Sequence, residues 1–389
     1  MLERWMLDPA ITYLNHGTVG AVPRAVLAAQ QSIRDEMERQ PSRFLLREVY
    51  PLAGTPRTTP TRMREAASTI AAFLGGQGED LVFVDNATAG VNVVLNSLTL
   101  APGDEIVVTD HSYPTTGWVA DYIARQRGAT VRVVPVPYPK FDPAEFVTRV
   151  AQAIGPQTRL VVMDHVTSES ALVFPVNEVA ACCRDRGVPI LIDGAHAPGM
   201  LTVDVGAIGA DWYAGNLHKW AFAPRSCGVL WALRDRQTGL HPPVLSWGLG
   251  KGFTAEFDWV GTRDPSPWLA APAGLAFAEE LGLDAMRRYN HDLAWRAAGE
   301  LTRRWNTPLD RDEASVGSMV TIALPESLGS TADDAGRLRN VLLNEDNIEV
   351  QTAARHGRLW VRICAQVYND WADIERLGKA IDNRVVQGK

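Results

Sequence analysis

The chain has 389 residues, enough for two or three domains or for one large domain with a satellite. A composition of 46% hydrophobic and 21% charged residues is that of a folded globular protein and argues against disorder. The formal net charge of −7 offers no basic field to a nucleic-acid backbone or an anionic membrane, and no apolar run is long enough for a membrane span.

The opening residues, "MLERWMLDPAITYLNHG", include Glu3, Arg4 and Asp8 and so lack the uninterrupted apolar core of a secretory signal. "TRMREAASTIAAFLG", Thr61–Gly75, places apolar residues at helical spacing and stops on a glycine. "DLVFVDNATAGVNVVLNSL" reads as a short strand over Leu81–Val84, a polar turn, and a helical run from Ala89. "PGDEIVVTDHSY" gives a turn and a strand over Glu105–Thr109, "ATVRVVPVP" another strand, and "TRLVVMDHVTS" a strand over Leu160–Met163. A helix around Val176–Arg186 leads into "VPILIDGAHAPG", a strand ending at Asp193; "ADWYAGNLHKW" and "CGVLWAL" complete the series. From about Pro265 the texture changes to one long helical run through "RRYNHDLAWRAAGELTRRW", then strands and helices in "GSMVTIALP", "LRNVLLNEDNIEV" and "RLWVRICAQVYND".

Strands alternating with helices predict an α/β fold with a large, mostly parallel sheet covered on both faces. The expected division is a large α/β domain over 20–265, with 1–19 and 266–389 forming a smaller α+β domain. Polar residues cluster after the strands, at Asn86-Ala87-Thr88, Asp110-His111, His165–Ser168, Asp193–His196 and His218-Lys219. Ligands of open α/β sheets bind outside the carboxyl ends of strands, so these clusters predict one site assembled from distant segments.

The four cysteines, Cys182, Cys183, Cys227 and Cys364, form neither a disulfide framework nor a zinc pattern, which predicts a reducing, cytoplasmic setting. The eight histidines include no metal-binding spacing, so no metal is expected. Lys219 lies in the apolar stretch "GNLHKWAFAPRSCGVLW". Taken alone it reads as a surface lysine whose stem packs on Trp220. A desolvated lysine, however, loses its proton more readily and becomes a nucleophile toward carbonyls. Asp193 at a strand end reads as a helix cap, an ion-pair partner or a catalytic group. "DNATAGVN" reads as an ordinary N-cap or as a phosphate cradle of backbone N–H groups.

Together, N-A-T, D-G-A-H and H-K-W with its following Pro-Arg-Ser turn resemble the class V aminotransferase family of fold-type I pyridoxal phosphate enzymes. More narrowly, the chain is similar to the isopenicillin N epimerase-like branch, with "YLNHGTVGAVP", "HVTS", "HKW", "GTRDPSPWLA" and "VRICAQVYND" in the family's order from about Tyr13 to Tyr368. The resemblance implies pyridoxal 5'-phosphate as cofactor and a fold of one seven-stranded-type sheet domain plus a smaller C-terminal domain. Lys219 would form the Schiff base with the cofactor, and Asp193 would pair with its ring nitrogen. Ala87 and Thr88 would hold the phosphate, with His218 beside the lysine and Asn216 where many relatives have serine. His196 would bond the phenolic oxygen, and Ser168 stands where desulfurases carry an asparagine near that oxygen. Either His111 or Tyr113 would cover the ring. Thr262, in "GTRD", resembles a threonine that reaches the phosphate from the neighbouring subunit, which implies a homodimer with shared active sites.

For the substrate, Arg362 would bind the α-carboxylate, a match of guanidinium fork to anion. Asn15 and His16 would line the same cavity, and Arg43 would enter a partner's site to read a second charge. Arg263 would do the same or pair with Asp264. Glu169 departs from the small residue or proline of relatives and reads as a specificity device, an acid–base group near the cofactor, or an exposed loop charge. Trp220 and Trp247 fall close to the lysine and to the dimer-crossing segment. The segment "EVQTAARHGRLWVR" before Arg362 lacks the cysteine that a persulfide-forming desulfurase needs.

The function expected is chemistry at Cα of an amino acid through an external aldimine. The first reading is β-elimination from an S-substituted L-cysteine in secondary metabolism, of the kind found in antibiotic biosynthesis. The alternatives are an amino-acid epimerase, an aminotransferase and a decarboxylation-dependent deamination. A cofactor-binding regulator would need a basic DNA-binding module ahead of the core, and only about a dozen residues precede "YLNHG". The partners expected are a small-molecule substrate and a second copy of the chain, with no nucleic acid and no membrane.

Overall fold

The computed structural model describes residues 1–50 and 60–387. Its strands, in chain order, are β1 (Thr12–Tyr13), β2 (Leu81–Val84), β3 (Glu105–Thr109), β4 (Thr130–Val134), β5 (Thr158–Asp164), β6 (Ile190–Gly194), β7 (Trp212–Asn216), β8 (Gly228–Ala232), β9 (Met319–Ala323), β10 (Ile348–Glu349), β11 (Gln351–Arg355) and β12 (Arg358–Cys364). Seven of them form one sheet in the order β2-β8-β7-β6-β5-β3-β4. β8 is antiparallel to both neighbours and the other pairs are parallel, so the expected mostly parallel sheet is present.

The two-residue period of a strand decides which side chains meet which layer. Val107, Val161, Ile190, Ile192 and Tyr213 join one core cluster; Ile106, Val108, Leu160, Val162 and Leu191 join the other. The second cluster includes Val91 and Val94 of the helix Ala87–Ser97 and Ala120 and Ile123 of the helix Pro114–Gln126. Burial on both faces explains why these strands read as continuous apolar runs. β4 is the sheet edge and is largely exposed, with Arg132 Nε donating to Glu105 Oε2 at 2.8 Å.

Beyond the large sheet, β11, β12 and β9 form an antiparallel sheet, and β1 pairs in parallel with β10. The N-terminal segment touches this second assembly at Leu14, which is part of its core and whose carbonyl accepts from Cys364 N–H at 2.9 Å. The expected single helical run after Pro265 is three helices, Ser266–Leu269, Ala271–Glu280 and Leu283–Trp305. Gly282, at φ 77°, supplies the left-handed residue that separates the last two. The helix expected from Ala89 begins at Ala87, because the Asn86 side chain accepts from Ala89 N–H at 2.9 Å and caps it.

Candidate active site

A cavity of about 310 Å³ opens at the carboxyl ends of β5, β6 and β7. Its floor carries Asp164, Asp193, His196 and Lys219; one end carries Asn86, Ala87 and Thr88. Asp164 and Asp193 are register partners across β5 and β6 and continue the face of Val162 and Leu191. Strand alternation thus places two carboxyl groups side by side in the same buried layer. Thr116 Oγ1 donates to Asp193 Oδ2 at 3.2 Å, and Ala195 N–H donates to Asp193 Oδ1 at 3.1 Å.

Burial raises the pKa of both carboxyl groups, and the neighbouring Asp193 raises Asp164 further. Asp193 is drawn back toward its anionic form by Ala195 N–H, Lys219 and Thr116. Of the two, Asp164 is the more strongly raised, because Asp193 beside it adds to the effect of burial, whereas Lys219 offsets burial at Asp193. Asp164 was not singled out from sequence. The signal lies in "VVMDH", a carboxylate closing an apolar run as Asp193 does, but its meaning depends on the strand register.

Lys219 sits in the loop between β7 and β8, half-buried, with Nζ 3.1 Å from His196 Nε2. Burial lowers its pKa to about 8, with Arg362 adding to the effect and Asp193 opposing it. Burial also keeps His196 neutral, well below its ordinary value, and pushes His218 down to about 4. His218 Nδ1 donates to Cys227 O at 3.2 Å. The loop is fixed from below by His16, which is fully buried and does not line the cavity. Its Nε2–H donates to Lys219 O at 2.8 Å while Nδ1 accepts from Tyr368 OH at 2.8 Å. The expectation of His16 as a cavity residue is thus corrected: it clamps the lysine's backbone. Trp220 is likewise core, with its ring centroid 5.0 Å from that of His16.

At the opposite end, Asn216 Oδ1 accepts from Ala87 N–H at 2.8 Å. That bond orients the start of the helix Ala87–Ser97 and leaves Thr88, whose amide lies in the unpaired first turn, as the donor facing the cavity. Gly228 permits this approach, since a Cβ there would lie 2.6 Å from Asn86 Cα. Tyr113 lines the cavity and is exposed. His111 does not line it; it is buried with Nδ1 2.6 Å from Ser170 Oγ and its ring against Tyr138. Of the two candidates for covering a ring, the structure brings only Tyr113 to the cavity.

Arg362 is buried behind the wall made by Ser168 and Thr18. Nη1 donates to Ser168 O at 2.6 Å, and Nη2 donates to Thr18 Oγ1 at 2.6 Å and to Asn15 Oδ1 at 3.2 Å. All of these acceptors are neutral, and no carboxylate pairs with the guanidinium among the described residues. Glu169 points elsewhere, with Oε2 3.6 Å from Arg355, and does not line the cavity. Arg43 is exposed and pairs with Glu48 at 3.0 Å; Thr262 is exposed and outside the cavity of its own chain. Arg263 pairs with Asp85 at 3.7 Å and lies over Trp268, while Asp264 pairs with Arg34 at 2.9 Å, so the anticipated Arg263–Asp264 pair does not form. Arg225, which donates to Gly20 O at 3.1 Å, and Thr116 are further residues of the site that the sequence reading passed over.

The residues present fit pyridoxal phosphate. Two buried polar atoms of the floor, His196 Nδ1 and Asp164 Oδ2, have no hydrogen-bond partner among the described residues. Buried polar atoms of this kind are normally satisfied, which marks the floor as built for a hydrogen-bonding ligand. A helix N-terminus suits a phosphate, a buried carboxyl group suits a ring nitrogen, and a lysine whose pKa burial lowers suits an aldehyde. No group of three or more His, Cys, Asp or Glu suited to a metal occurs among the described residues, and no described helix is long and apolar enough to cross a membrane.

Comparison with known proteins gives a concordant picture. The model of the family "Aminotransferase class-V" matches residues 13–377. The chain is 34% identical to an isopenicillin N epimerase of Streptomyces clavuligerus, covering 97% of this chain and 96% of the relative. It is 33% identical to a probable chloroplastic L-cysteine desulfhydrase of Arabidopsis thaliana, covering 98% of this chain and 84% of the relative. Among solved structures, a lysine-to-alanine mutant of C-DES with glycine covalently linked to its pyridoxal phosphate superimposes with a TM-score of 0.81. That match has 22% identity and covers 98% of each chain, and it bears on the fold alone.

Proposed function

The chain belongs to the class V aminotransferase family, and on that premise we propose that it is a C–S lyase releasing a thiol from an S-substituted L-cysteine. The enzyme is pyridoxal phosphate-dependent. The bound cofactor supplies the electron sink that makes the substrate's α-carbon acidic. Lys219 holds the cofactor and, as the base at the cavity floor, takes the α-proton. Asp193 would face the ring nitrogen and favour its protonated form, His196 would bond the phenolic oxygen, Thr88 and the N-terminus of Ala87–Ser97 would hold the phosphate, and Tyr113 would cover the ring. Arg362 exchanges its neutral acceptors for the α-carboxylate, a charge-assisted and bidentate partner.

One observation carries the choice of elimination: Lys219 is the one lysine among the described residues that line the cavity, and burial makes its amine easier to deprotonate. Epimerisation needs a second acid–base group opposite Lys219, yet the two histidines of the cavity are held neutral by burial, which leaves them weak bases. We also propose that sulfur leaves as free thiol and is not stored on the protein as a persulfide. No cysteine lines the cavity among the described residues; Cys227 and Cys364 are fully buried, and burial raises the Cys227 thiol far above the range of a reactive thiolate.

Incubating the holoenzyme with S-substituted L-cysteines in deuterated water tests the reading. Free thiol with pyruvate and ammonia is expected. Recovery of intact amino acid carrying deuterium at Cα, with no thiol, would favour the epimerase instead.

A further inference from the structure

A second cavity, of about 460 Å³, adjoins the first, and the two share Thr18 and Val19 as a common wall. Its other walls are mostly apolar, from Leu7, Ile11 and Leu343. The ionisable groups in it are Glu349, Asp8 at the exposed rim, and the phenol of Tyr13. No lysine or arginine lines it among the described residues. Tyr13 and Glu349 are register partners of β1 and β10, which sets an aromatic ring beside a carboxylate. Burial pushes the Tyr13 phenol up to about 12, so the ring stays neutral.

The two cavities are also joined by a hydrogen-bond chain. Arg362 Nη2 donates to Asn15 Oδ1 at 3.2 Å, and Asn15 Nδ2 donates to Glu349 Oε1 at 2.8 Å. One amide thus spans the distance from the arginine to the carboxylate. Arg362 itself touches that boundary, since Nη2 donates to Thr18 Oγ1 at 2.6 Å. We infer that this cavity is the subsite for the sulfur substituent, and that it selects a short, largely apolar tail ending in an ammonium group. Glu349 supplies the counter-charge, and Tyr13 offers a π-face to the same cation. An anionic tail meets two carboxylates and no cation there, and is rejected.

The inference rests on the reading of Arg362 as the α-carboxylate site, and its test separates the two. The holoenzyme is titrated with S-(2-aminoethyl)-, S-propyl- and S-(2-carboxyethyl)-L-cysteine. Dissociation constants are read from the cofactor's visible absorption and kcat/KM from thiol release. The aminoethyl compound is expected to bind about tenfold more tightly than the propyl compound, with the carboxyethyl compound weakest. In Glu349→Gln, which keeps an acceptor for Asn15 and removes the charge, the aminoethyl-to-propyl ratio falls toward one. Asp8→Asn, at the exposed rim, gives a partial fall and serves if Glu349→Gln does not fold.

Equal constants for the three tails, or a preference for the carboxylate, would overturn the subsite while thiol release left the lyase reading intact. Charge selectivity in binding without thiol release would support the subsite and overturn the lyase reading. No spectral response to any of the three would overturn both.

Discussion

At the scale of single residues, Lys219 is governed by opposed effects whose balance sets a measurable pH profile. Burial and the Arg362 charge push its pKa down to about 8, and Asp193 pulls it upward. The neutral amine is the form that captures an aldehyde. Cofactor uptake by the cofactor-free protein should therefore climb about tenfold per pH unit below pH 8 and level off above it. Stopped-flow absorbance between pH 6 and 9 checks this; borohydride reduction with peptide mapping should then tag Lys219, and a different tagged lysine would sink the assignment. The neighbouring carboxyl pair makes a second prediction. Asp193→Asn removes the anion proposed to face the ring nitrogen, and kcat should drop by about 100-fold or more. Asp164→Asn exchanges a carboxyl group whose pKa burial and the neighbouring Asp193 raise for a neutral amide, and kcat should stay within about threefold. A matching collapse in both variants would show that Asp164 works as an anion.

At the scale of elements, the decisive contact is between the N-terminal segment and the lysine loop. Gly20 has φ +70°, and a Cβ there would stand 1.8 Å from His218 O. Both the backbone conformation and the space exclude a side chain. Gly20→Ala should cost about 2 kcal/mol or more and loosen cofactor retention, because relieving the clash displaces His218 and Lys219 together. Thermal unfolding and cofactor release by dialysis measure the two effects. The strands of the large sheet were legible in the sequence because burial on both faces forces compact apolar runs: Leu81–Val84 and Glu105–Thr109 are read to the residue. Lys219 and Asp193 were legible as residues lodged in or closing such runs. β1 was not, since two residues carry no period and Thr12–Tyr13 is a strand only through its pairing with Ile348–Glu349. His16 misled for a related reason: a histidine in a polar turn looks accessible until Trp220, Phe222 and Tyr368 close around it. The choice between His111 and Tyr113 lay beyond sequence, because it depends on which way the turn after β3 faces.

At the scale of the whole molecule, two exposed features bear on the expected sharing of sites between two copies of the chain. The cavity is open, Tyr113 at its wall is exposed, and Thr262, the residue matched to a phosphate contact from a neighbouring subunit, is exposed and away from its own cavity. The segment before Thr262 also presents Val244, Leu245, Trp247 and Leu249 to solvent, an apolar cluster that a monomer leaves uncovered. A two-fold dimer would cover such a patch with its own copy and would carry each Thr262 to the other subunit. Sedimentation should show a dimer, and Trp247→Glu should shift it toward monomer. The sharing of sites has a stricter test. Lys219→Ala and Thr262→Ala are each expected to impair the homodimer, the first completely. A mixed dimer then holds one site with both Lys219 and Thr262 intact, supplied by different subunits. Unfolding and refolding the two variants together at equal amounts should restore about one site in four, read as thiol release. Failure of the mixture to exceed the summed activities of the separate variants would place Thr262 in the site of its own chain, or in none.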